Sequence, residues 1–125
     1  TGFQEGFTDN GGTSISTCYI SDNYSGYSMQ DKAYELTDSL TETNHFIYPI
    51  PGGSNQGVYR YSRENPNKFY TAGMDVNLSA YSAHIVFSVV KHINRAVEEY
   101  ITKGITQSAY NIRNRQWVHR YCPCR

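Results

Sequence analysis

Seven residues combine flat rings with cations: Tyr48, His84, Lys103, Arg113, Arg115, Trp117 and Arg120. Rings stack on nucleobases while guanidinium and ammonium groups hold phosphates, so the set suits single-stranded RNA. The competing reading places Tyr48 and Trp117 in the core, where large rings bury most area. Proton transfer is a second chemistry. His45, His84, His92 and His119, with Glu98, Glu99, Lys103 and Arg120, supply the groups of a general acid–base site if the fold gathers them. A histidine on a surface or strand edge is nevertheless the commoner state, and Glu98-Glu99 reads first as a solvated face. Gly52 and Gly53 read as turn residues before they read as a phosphate cradle. Asn23-Tyr24-Ser25 and Asn77-Leu78-Ser79 match glycosylation acceptors, triplets that chance readily supplies.

Sulfur sits toward the two ends. Cys18 lies near the start, and Cys122-Pro123-Cys124 is too tight for an easy mutual bridge. Cys18 is therefore expected to pair with Cys122 or Cys124, leaving one thiol over. Closing a loop of roughly 100 residues stabilises a fold by about 4 to 5 kcal/mol in the chain-entropy account. Such a bond lasts outside a reducing cytosol, which points to a secreted protein. The Cys-x-Cys spacing, even with His119, fits no zinc template. Neither a metal nor a cofactor is expected.

With 125 residues the chain suits one domain. Twelve Tyr, five Phe and one Trp stand against two Met, so rings must carry much of the packing. No run of 18 apolar residues exists and no charged-then-apolar leader opens the chain, which fits a mature, soluble, monomeric protein whose secretion signal has gone. Net charge is zero but unevenly spread. Residues 1–90 hold four Lys/Arg and nine Asp/Glu, whereas residues 91–125 hold seven and two. The tail is the basic pole, able to attract phosphate or an acidic protein face.

The elements that must position these groups follow from periodicity. Residues 1–16, rich in Gly, Thr, Ser and Asn, read as a flexible arm, and residues 17–125 as the domain. Thr17-Cys18-Tyr19-Ile20 reads as a short strand. Ser28 precedes a helix over about Met29 to Leu40, with Ala33, Leu36, Thr37 and Leu40 at helical spacing. His45 to Tyr48 is a strand that exits through Pro49-Ile50-Pro51-Gly52-Gly53. Val58, Arg60 and Ser62 alternate with Tyr59, Tyr61 and Arg63, predicting another strand. Phe69 to Ala72 is a short strand, followed by a loop over Gly73 to Ser82. Ile85 to Val90 is nearly all apolar, as in a strand buried on both faces. Lys91 to Arg95 is expected to turn the chain and Ala96 to Thr102 to return antiparallel. A helix across Val89 to Tyr100 is the rival, because Arg95, Ala96, Glu98 and Glu99 favour helix. Gln116 to Tyr121 alternates as a closing strand. The fold class is α+β, one N-terminal helix packed on a twisted antiparallel sheet.

Local motifs resemble the small microbial guanine-specific ribonucleases. His45-Phe46-Ile47-Tyr48-Pro49 is similar to that family's Tyr-Pro-His strand. Ala83-His84-Ile85-Val86-Phe87 through Tyr100-Ile101-Thr102-Lys103-Gly104 is similar to its Ala-Asp-Arg-Val-Val-Phe hairpin, which ends in Ile-Thr-His-Thr-Gly. The resemblance covers about Cys18 to Cys122. The abundant Tyr, the Tyr48-Pro49-Ile50-Pro51 segment and the outer cysteines also resemble the ribonuclease-like effectors secreted by powdery mildew fungi, although Ser16-Thr17-Cys18 departs from their aromatic-x-Cys start. The resemblance implies a secreted virulence protein that works inside the plant host cell, binds host protein or RNA, and is recognisable by plant immune receptors.

RNA cleavage through the 2′-hydroxyl needs a base, an acid and a cation for the phosphorane charge. By the resemblance, the first catalytic His position falls on Ile50, the Arg position on His84, the second His position on Lys103, and the Glu position near Tyr70 or Thr71. Ile50 moves no proton, and an ordinary Lys holds its proton too tightly to act as acid near neutral pH. The expectation is a pseudo-ribonuclease with no catalytic residues. The alternative is an active, guanine-preferring secreted endoribonuclease with a rearranged site.

Overall fold

A computed structural model describes residues 2–103. Their order is α1 (Gly2–Asp9), a 3-10 turn at Tyr24–Ser28, α2 (Gln30–Thr41), β1 (Phe46–Ile47), a 3-10 turn at Gly52–Ser54, α3 (Asn55–Glu64), β2 (Tyr70–Asp75), β3 (Ile85–Val90) and α4 (Ile93–Lys103). The class is α+β. The sheet departs from expectation: its strands run parallel, in the order β1-β2-β3.

α2 stands within a residue of its expected bounds. Ala33 and Thr37, one turn apart, are buried, and the Thr37 hydroxyl donates to Ala33 O at 2.7 Å, so no polar group is stranded there. α3 replaces the strand expected over Val58 to Arg63. Its buried residues include Asn55, Val58, Tyr59 and Ser62, the three-and-four spacing of a helix face. Burial overrides the alternation and the β preference of the two tyrosines. α3 meets α2 at Gly57, where a Cβ would collide with Gln30 O and stand 2.9 Å from Tyr34 N. Glycine alone permits that approach. Ala33, Val58, Tyr61 and Phe69 form the core, with Ile20, Tyr34 and Ile47 packed against it. Burial of each large side chain stabilises the fold by about 1.5–3 kcal/mol. Ser54 ties the entry to both helices, donating to Gly26 O at 2.6 Å and accepting from Met29 N–H at 2.7 Å.

The return strand expected over Ala96 to Thr102 is α4 instead. Ile93, Val97, Tyr100 and Ile101 fall at i, i+4, i+7 and i+8, a single helical stripe, and the intervening residues are good helix formers. No hairpin partner is then left for β3. It pairs with β2, because residues 76–84 carry the chain back alongside. The opening residues, read as a loose arm, contain α1. Thr17 to Tyr19 lie in exposed irregular chain rather than a strand. Cys18 carries an exposed, unbonded thiol. Its expected partners Cys122 and Cys124, and the strand expected over 116–121, lie outside the described residues.

Candidate nucleic-acid interface

Successive side chains in a strand point to opposite sheet faces. Ile47 packs on the helical core, so Phe46 and Tyr48 turn to the other face. Register carries that face across the sheet. Phe46 stands opposite Tyr70, and Thr71 opposite Ile85, which sets Tyr70 beside His84. The register slips between Thr71 and Ala72, so Ala72 meets Phe87 and Val86 is passed over. That bulge aims Phe87 toward Phe46. Ring centroids of Phe46 and Phe87 are 6.1 Å apart, and those of Tyr70 and His84 5.9 Å. Phe3 of α1 covers one end, stacked 4.2 Å from Tyr48 with planes 4° apart and 6.3 Å from Phe46. The result is a sheet face made largely of rings, with Tyr70 53% and Phe46 37% exposed.

Beside β1 a cleft of about 850 Å³ opens between α1, the residues around Cys18 and the C-terminal half of α2. Leu36, Leu40, Phe46 and Ile50 give it apolar walls, and Cys18 and His45 also line it.

His84 is half-buried. Its Nε2 accepts the Asn67 backbone N–H at 3.2 Å, and Asn67 holds φ +69. The imidazole thus braces a left-handed turn, and a proton taken at Nε2 would break the brace. The Nδ1 atom is buried without a hydrogen-bond partner. Several cations are held on the helical side: Arg60 sits 4.6 Å over the Tyr34 ring and 3.0 Å from Asp31, and Arg63 lies 4.9 Å over Tyr81. Tyr61 donates its hydroxyl hydrogen to Asp38 and accepts from Lys68 Nζ at 2.6 Å. The Tyr61 hydroxyl, with Lys68 behind it, holds the Asp38 carboxyl below its ordinary value, and the same hydroxyl raises the Lys68 ammonium. Burial pushes the Tyr59 phenol up to about 12.

Of the residues expected to bind, Tyr48 and His84 come to the ring-lined face, separated by Phe46 and Tyr70. Lys103 is the last residue of α4. Arg113, Arg115, Trp117 and Arg120, like His119, lie outside the described residues. His45, His92 and Glu98 are exposed. Among the described residues no three His, Cys, Asp or Glu gather as a metal site. Ile50, at the position matched to the first ribonuclease histidine, is exposed. Thr71, near the matched Glu position, is buried with its hydroxyl on Ile47 O at 2.8 Å. Sequence reasoning missed Phe3, Phe46, Tyr70 and Phe87. The two-residue spacing of Phe46 and Tyr48 within a β stretch was the available signal for part of that set. Set against protein-family models and curated proteins, the chain matches none.

Proposed function

We propose that this chain is a noncatalytic binding protein, of the secreted ribonuclease-like effector kind, that takes single-stranded RNA on its ring-lined sheet face. The carrying observation is two ring pairs, Phe46–Phe87 and Tyr70–His84, which the Phe46–Tyr70 register sets on neighbouring strands of one sheet face, with Phe46 and Tyr70 partly open to water. Base–aromatic stacking contributes about 1–3 kcal/mol per base. The same geometry favours binding over cleavage, because His84 is committed to the Asn67 turn. Kinship with the fungal effectors rests on the sequence motifs, since the parallel sheet differs from the antiparallel one that the resemblance implies. On this reading the protein is secreted, acts as a monomer inside the host cell, and is met there by an immune receptor.

Fluorescence anisotropy with a labelled single-stranded RNA oligonucleotide tests the reading. Tyr70→Ala is expected to weaken binding about 5- to 150-fold, the equivalent of one lost stack, with no cyclic-phosphate product from the unmodified chain. RNA binding that ignores Tyr70→Ala removes the proposal. Cleavage lost in His84→Ala would instead establish the endoribonuclease.

A further inference from the structure

We infer that the cleft beside β1 is a binding site for an uncharged, mainly apolar small molecule that carries a hydroxyl group. The inference does not rest on RNA binding, since neither Tyr70 nor His84 lines the cleft. At about 850 Å³ it falls within the range of small-molecule sites, about 300–1,000 Å³. Its depth favours a small molecule over a protein face. Ala33, Thr37 and Val58 line it and are at most 5% exposed, whereas Ile50, which also lines it, is 63% exposed. The recess therefore runs from an open apolar rim to the helical core. A flat protein surface cannot fill that shape, but a thin chain or ring can.

Charge sets the class of ligand. Residues 2–103 carry eleven Asp/Glu and seven Lys/Arg, yet none of them lines the cleft. An ionised ligand would leave water without gaining a counter-ion, which costs far more than burying a neutral group. Apolar surface is plentiful. Leu36, Leu40 and Ile47 present aliphatic walls, while Phe3 and Tyr48, stacked 4.2 Å apart with planes 4° apart, present flat ones. Removing apolar ligand surface from water there supplies the attraction. Two hydroxyls of the lining are already engaged within the protein: Thr37 donates to Ala33 O at 2.7 Å, and Thr17 Oγ1 accepts from Gln4 Nε2 at 3.1 Å. Asn44 differs. Its Nδ2 donates to Leu40 O at 2.9 Å and Thr43 Oγ1 at 3.0 Å, which leaves Oδ1 as an acceptor. An acceptor welcomes a hydroxyl and repels a carboxylate, so the charge and hydrogen-bond arguments agree.

Displacement of the uncharged fluorophore N-phenyl-1-naphthylamine from the intact 125-residue chain tests the site, at pH 8, where an imidazole is ordinarily neutral. We expect one saturable site per chain and displacement by decan-1-ol. Affinity should rise about fourfold for each methylene added between hexan-1-ol and decan-1-ol. Decanoate, of the same length, should displace about tenfold more weakly or worse. Ile50→Lys changes an already exposed rim position, so the far-UV circular dichroism should stay unchanged while the alcohol–carboxylate gap narrows several-fold. Absence of saturable binding overturns the inference, as does decanoate that binds the parent chain as tightly as decan-1-ol. Probe binding that Val97→Asp weakens and Ile50→Lys leaves alone belongs to α4 and also overturns it. Affinity that falls as protein concentration rises, together with a dimer in sedimentation, gives the cleft to a second copy and has the same force. Tyr70→Ala should leave the displacement curves in place, which separates this test from the RNA assay; a shift there seats the probe on the ring-lined face and overturns the inference.

Discussion

Tyr59 is 2% exposed and donates structure through its oxygen, which accepts the Met74 N–H at 3.1 Å. Its folded-state pKa of about 12 lies above the ordinary 10.0 because burial opposes the phenolate. A raised value stabilises the fold fully below about pH 10 and the contribution fades as pH climbs toward 12. Urea midpoints measured from pH 9 to 12 are therefore expected to fall more steeply in the parent than in Tyr59→Phe. That variant should cost about 1 kcal/mol at neutral pH through the lost hydrogen bond. At this scale the sequence showed the chemistry each side chain carries but not what it touches. Tyr48 and His84 stood out from their types alone. The brace from His84 to Asn67 did not, because it joins residues 17 apart through a backbone N–H that only the tertiary turn presents.

Elements were legible where one pattern ruled and illegible where two competed. α2 has an unopposed helical stripe, and β3 an apolar run broken only by Ser88, so both fall where expected, although Val86 is exposed and β3 is not buried on both faces. α3 and α4 carry Val, Tyr and Ile, residues that suit strands, at positions that also complete a helix face. Tertiary burial decided the first case, and no local propensity could have announced it. Gly57 shows the cost of that arrangement. Gly57→Ala is expected to destabilise the fold by about 1–3 kcal/mol through overpacking against α2, read as a lower urea midpoint with unchanged slope. α1 offers a milder test. Phe3→Ala removes the stack on Tyr48 and should cost about 0.5–1.5 kcal/mol beyond lost area, while raising the fluorescence of an apolar dye that finds the uncovered rings.

For the molecule as a whole, the unequal spread of charge matters most. Residues 2–103 carry eleven Asp/Glu against seven Lys/Arg, so on the RNA-binding reading proposed above the four arginines of residues 104–125 are the cations expected to meet phosphate. RNA affinity is accordingly expected to fall with salt, with a log–log slope of about −0.7 for each phosphate neutralised on a single strand. A flat titration would indicate a protein partner instead. The polarity of the chain was legible from counting, which carries no geometry. The order of the sheet has a consequence of another kind. β1, β2 and β3 are neighbours along the chain and neighbours in space, in the same succession. A ribosome synthesising this polypeptide therefore hands each new strand to one already in position, and the time of translation doubles as the schedule of assembly.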